Sequence, residues 1–128
     1  MTIILRGDPR TKKNSQRLVP VGGRMIPITS RAFADYQEDC LRQITGDKRK
    51  GIDFPVNVRC VYYMATRRKV DLTNLLEATD DILVKAGVLQ DDNCTIIASH
   101  DGSRVLYDRK DPRVEITIDW TGGHDEQF

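Results

Sequence analysis

The stretch VDLTNLLEATDDILVKAGVLQDDN, residues 70–93, decides how the chain is read. Leu72, Leu75, Leu76, Thr79, Leu83 and Ala86 recur at three- and four-residue intervals, so a helix from about Leu72 to Ala86 with one buried stripe is expected. Gly87 supplies its C-terminal stop. Six carboxylates share the same stretch: Asp71, Glu77, Asp80, Asp81, Asp91 and Asp92. Arg67, Arg68 and Lys69 stand directly before it. Acids held this close repel one another, so a cation is expected among them and an anion against the basic run.

The segments on either side read as strands. Upstream, Val56, Val58, Cys60, Tyr62 and Met64 alternate onto one face of VNVRCVYYMA. Downstream, TIIASHDGSRVLY places Asp101-Gly102 between apolar arms, a hairpin signature. RVEITIDW then alternates with Val114, Ile116, Ile118 and Trp120 on one side. At the start, TIILRG predicts a short strand ended by Gly7-Asp8-Pro9. Residues 8–28 carry Pro9, Pro20, Gly22, Gly23 and Pro27, and predict an extended loop with room for a small hairpin. Thr29 or Ser30 is placed to cap a helix reaching about Thr45, its face set by Phe33, Tyr36, Gln37, Cys40, Leu41 and Ile44, with Gly46 ending it. The order β-α-β-α-β-β predicts one α+β domain over 1–128: a mixed sheet with two helices on one face and a frayed tail at 121–128.

A length of 128 residues suits a single domain with its own core. Apolar runs of only a few residues exclude a bilayer span, and the N-terminus lacks the basic region of a signal peptide. Cys40, Cys60 and Cys94 are scattered without metal spacing, as free thiols in a reducing cytoplasm would be. The net charge of +1 excludes nothing, but its distribution is informative. From Pro9 to Ala34 there is no acid, while Arg10, Lys12, Lys13, Arg17, Arg24 and Arg31 all fall there, which suits either a locally positive surface or a solvated loop whose cations serve solubility.

The chemistry is narrowed by what is missing. His100 lies beside a turn and His124 in the tail, so neither suits a triad or a zinc site, and no glycine loop cradles a nucleotide phosphate. On the second helix, Asn74, Glu77 and Asp81 share a polar face, Asp71 sits at the entrance, and Asp91 and Asp92 follow the helix end. Hard oxygen donors of this kind suit Mg²⁺, with Mn²⁺ as the alternative ion. Plainer readings stand beside this one. Asp71 serves as a helix cap, Asp80 is expected to be an exposed helix residue, and Asp91-Asp92-Asn93 forms a polar turn.

DLTNLLEATDDILVKAGVLQDDN resembles the core motif of the RusA-type Holliday-junction resolvases, roughly D-L-D-N-L-x-K, a later helix Asp, then a D-D pair after a glycine. The opening strand with RGDPRTKKNSQR and the strands after the motif extend the likeness over nearly the whole chain. The resemblance implies a homodimeric, Mg²⁺-dependent endonuclease that cuts four-way DNA junctions in recombination and repair, one strand per subunit. It implies catalytic roles for Asp71 and Asp92, and metal ligation by Asp71, Asp81, Asp91 and Asp92. Asn74 matches the motif Asn. DNA contacts are expected from Lys12, Lys13, Arg17, Arg67, Arg68 and Lys69. Two positions depart: Thr73 replaces the second Asp, and Glu77 replaces the Lys. Glu77 lies one helical turn from Thr73, so it is read as returning the missing carboxylate to the metal and joins the catalytic set. The lost cation is assigned to Lys69, Arg68 or a second metal. The rival expectation is a junction-binding module that has lost cleavage through these two changes.

Overall fold

The computed structural model describes residues 1–12, 16–29 and 31–122, with the backbone alone at 16–17 and 27–29. Along the chain run β1 (Thr2–Arg6), β2 (Gln16–Val21), β3 (Arg24–Thr29), α1 (Arg31–Gln43), a 3₁₀ turn (Gly46–Lys48), β4 (Val56–Met64), α2 (Leu72–Lys85), β5 (Ile97–Ser99), β6 (Arg104–Tyr107) and β7 (Arg113–Trp120). The class is α+β, as expected. Its mixed sheet has the order β1-β7-β4, with β5 and β6 sharing the far edge of β4.

Alternation builds the inner face of that sheet. Ile3 and Leu5 of β1, Val56, Val58, Cys60, Tyr62 and Met64 of β4, and Val114, Ile116 and Ile118 of β7 are all buried. Against them pack Cys40 of α1, Ile44 just after it, and Leu75, Ile82 and Leu83 of α2. Each large aliphatic side chain so covered contributes about 1.5–3 kcal/mol. Tyr62 carries a hydroxyl into this core and bonds Thr79 Oγ1 at 2.7 Å, while Thr79 donates to the Leu75 carbonyl at 3.0 Å, so neither polar group is stranded.

Four expectations are refined or replaced by the structure. The loop over 8–28 holds a complete hairpin, β2 with β3, closed by Gly22-Gly23 at φ 57° and 79°, the positive values a two-residue hairpin turn demands. Ser30, one of the two proposed caps, lies outside the described residues, as does the tail from 123. The first helix ends at Gln43 rather than near Thr45.

The third difference is topological. The arms of TIIASHDGSRVLY do not pair with each other: β5 and β6 both run parallel to β4, at Val56↔Ile97 and at Val61↔Arg104 through Met64↔Tyr107. Residues 100–103 make a turn that bulges out of one interrupted strand, closed by Ser103 N–H to the His100 carbonyl at 3.1 Å with Gly102 at φ 86°. Side chains replace the missing ladder. Ser103 Oγ accepts the Cys60 N–H at 2.9 Å, and His100 Nδ1 meets the Val58 carbonyl at 2.8 Å. A turn inside a strand and a turn between strands have the same local signature, and the free edge of β4 decides between them.

The fourth is Asp80, expected on the surface and instead only 9 % exposed. It stands four residues after Leu76 and three before Leu83, inside the stripe that α2 turns to the sheet.

Candidate acidic site and its basic approach

Asp71 occupies the N-cap position of α2 with extended backbone (φ −84°, ψ 125°), yet its side chain makes no capping bond. The plain reading as a cap is therefore not what the carboxylate does. It is exposed and, among the described residues, receives only Asn74 Nδ2 at 3.3 Å. Ten residues on, Asp81 is half-buried and forms an ion pair with Lys12. At helical rise that separation is about 15 Å along the axis, beyond what two aspartates can span to one ion. Glu77 lies between them, exposed and without a partner among the described residues.

The loop after α2 is organised from within. Asp91 Oδ1 accepts the Asp92 N–H at 2.7 Å, and its Oδ2 accepts Asn93 Nδ2 at 3.2 Å. Asn93 Oδ1 in turn takes the N–H of Thr95 at 3.0 Å and also its hydroxyl. Both oxygens of Asp91 are thus spent on the turn, whereas the Asp92 carboxylate is exposed and without a partner among the described residues. Such self-bonded Asx turns are what Asp and Asn favour.

Asp92 is brought near the middle of α2, where Asp80 feels it. Burial raises the Asp80 pKa, His100 opposes the rise, and the negative charges of Asp92 and Asp81 add to it. Asp80 Oδ2 lies 3.0 Å from His100 Nε2. Its Oδ1 is buried with no hydrogen-bond partner. The negative charges of Asp81 and Asp92 thus both act on Asp80, Asp71 and Glu77 lie nearer the start of the helix, and Asp91 braces its own turn. Among the described residues, no three His, Cys, Asp or Glu side chains stand close enough to enclose one ion.

The basic residues divide in the same way. Arg68 is a clamp: it donates to Asp8 Oδ2 at 2.9 Å and to the Pro9 carbonyl at 2.8 Å, while Asp8 Oδ1 accepts the Ala65 N–H at 2.9 Å. Arg67 is exposed, its guanidinium 4.3 Å above the Tyr107 ring. Lys69 is exposed. Lys13 lies outside the described residues and Arg17 is described only by its backbone in β2. A groove of about 620 Å³ runs between Tyr63, Arg67, Arg68 and Tyr107, with no acid in its lining among the described residues.

Sequence reading missed Asp8, the Asp80–His100 pair and the use of Lys12. For Asp80 a signal existed, its place in the Leu76–Leu83 stripe. For Asp8 and Lys12 none did, because their partners lie 57 and 69 residues away.

Comparison with known proteins places the chain in a lineage. Over 83 residues the chain is 30 % identical to a crossover junction endodeoxyribonuclease RusA of Aquifex aeolicus (strain VF5), covering 63 % of this chain and 64 % of that protein, so the chain spans less than two thirds of that relative's length. The model of the endodeoxyribonuclease RusA family matches residues 6–119, from the end of β1 to the penultimate residue of β7. The chain belongs to the RusA endodeoxyribonuclease family.

Proposed function

We propose that the protein is a Mg²⁺-dependent, structure-specific DNA endonuclease that resolves four-way (Holliday) junctions in recombination and repair, with Mn²⁺ as an alternative ion. The observation that carries this reading is the family match over nearly the whole chain. The donor set fits such an ion: Asp81 and Asp92 offer hard carboxylate oxygens beside the unpartnered Asp80 Oδ1, and Mg²⁺ commonly keeps several waters and needs only one or two carboxylates. A bound ion supplies Lewis acidity and lowers the pKa of its water. Asp91 fixes Asp92, and Arg68 fixes the approach loop. Asp71 stands at the helix entrance beside the exposed Arg67 and Lys69, where a phosphate backbone would be met. Lys12, Lys13 and Arg17 are proposed as further contacts to the DNA backbone. The reaction is hydrolysis of a phosphodiester, and two subunits about a two-fold axis would match the symmetry of the junction. The compartment proposed is the cytoplasm; among the described residues no helix is long and apolar enough to cross a membrane.

The test is a labelled four-way junction incubated with and without Mg²⁺. Paired nicks that need the ion are the expected result. A second reading, a junction-binding module without cleavage, is favoured by the absence of a three-ligand cluster among the described residues and by Thr73 and Glu77. Binding without nicking under either Mg²⁺ or Mn²⁺ would establish it.

Glu77 is assigned to the metal from one turn beyond Thr73. Glu77→Gln is therefore expected to slow single-turnover nicking about tenfold or more and to raise the Mg²⁺ concentration needed for half-maximal rate. A variant with the parent's rate and Mg²⁺ dependence would remove Glu77 from the site.

A further inference from the structure

The ion pair between Lys12 and Asp81 joins the basic approach to the acidic centre, and Lys12 does not reach it by chance. The segment before it is fastened at successive points. Asp8 is bonded to Ala65 and Arg68, the Pro9 carbonyl accepts Arg68, and Thr11 is 4 % exposed. Lys12 and Asp81 keep side-chain exposures of 33 % and 27 %, so the pair is accessible to ions and to a ligand phosphate. Lys12 is the only cation paired with Asp81 among the described residues. It meets Asp81 where the negative charges of Asp80 and Asp92 also gather.

We propose that Lys12 is a place-holding counter-ion, whose ammonium occupies Asp81 in the free protein and is drawn away by a DNA phosphate, so that Asp81 is released to a divalent ion only when DNA is bound. The inference rests on the metal-dependent reading above and assigns Lys12 a role beyond DNA affinity. An ammonium and a divalent cation on one carboxylate repel each other. A lysine suits the task, being a compact charge on a flexible stem that exchanges one oxygen partner for another. By linkage, DNA then raises ion affinity by the same factor as the ion raises DNA affinity.

The experiment measures Mn²⁺ binding from the electron paramagnetic resonance signal of free Mn²⁺. It uses the whole protein alone and with a linear DNA duplex, which supplies phosphates without a junction to cut. Without DNA, Lys12→Met is expected to bind Mn²⁺ about tenfold tighter than the parent, since a like charge beside the ion has gone. The duplex should tighten Mn²⁺ binding by the parent and by Lys12→Arg, and leave Lys12→Met nearly unchanged. In an Asp81→Asn background, Lys12→Met should have no effect. A parent that binds Mn²⁺ with the same affinity as Lys12→Met, with and without duplex, overturns this proposal and leaves the nuclease reading standing. A parent that binds no Mn²⁺ in either condition overturns both. Lys12 lies on an accessible pair, so its loss leaves the fold intact, and Lys12→Arg controls for any effect of the substitution itself.

Discussion

Asp92→Asn is expected to lower the rate of junction cleavage by about 10³-fold, equivalent to about 4 kcal/mol of barrier, while junction affinity stays level or rises. Asp91 holds the Asp92 backbone N–H, and the Asp92 carboxylate, whose charge is felt by Asp80 on α2, has no competing partner among the described residues. Amidation removes a negative charge that would hold the ion, and it also removes repulsion toward the phosphate. Asp91→Asn should be far milder, because an amide oxygen still accepts the Asp92 N–H. Asp71→Asn is expected to lower cutting as well, acting from the helix entrance where a phosphate would be met rather than as a ligand of the ion beside Asp92. Cleavage rates under single-turnover conditions, with gel-shift affinities in Ca²⁺, provide both readouts. Near-parental cleavage by Asp92→Asn would sink the site. Loss with Asp92→Asn but not Asp71→Asn would confine it to the middle of α2, away from the helix entrance.

His100→Ala is expected to destabilise the metal-free fold by about 2–4 kcal/mol, because it leaves a mostly buried carboxylate with no donor on either oxygen. The parent pair should also make stability depend on pH. His100 Nδ1 faces a carbonyl and so must donate, and Nε2 faces Asp80 Oδ2, so both contacts are satisfied when the imidazole carries two protons or Asp80 carries one. The hydrogen bond to Asp80 raises the His100 pKa against its partial burial, and desolvation raises that of Asp80. Both groups thus bind protons more tightly folded than unfolded. The stabilisation from His100 is full below the ordinary imidazole value of about 6.5 and is lost as pH rises through the raised folded value. Ionisation of Asp80 acts with the same sign from the ordinary carboxylate range upward. Urea unfolding in EDTA at a series of pH values should show stability falling above about pH 6.5, with a flatter profile in His100→Ala. A parent profile that is flat or rising through that range would contradict the proton-sharing account.

Much of this architecture is local in origin and was legible in the sequence. The Val56–Met64 alternation and the Leu72–Ala86 stripe name their own inner faces, because side-chain direction follows backbone period whatever the rest of the chain does. The motif of residues 71–93, with the flanking segments, carried the resemblance to the family that residues 6–119 match. Tertiary structure decided what depends on partners distant in the chain. Asp101-Gly102 fixes a turn, but only the free edge of β4 makes it a bulge between two parallel strands rather than a hairpin. Asp80 is one of six acids in the stretch, yet only packing of α2 on the sheet buries it and supplies His100 as its donor. Lys12 and Arg68 are equally basic in sequence. One becomes the counter-ion of Asp81 and the other a clamp on Asp8, because charge is a property of a residue while ion pairing is a property of the space around it.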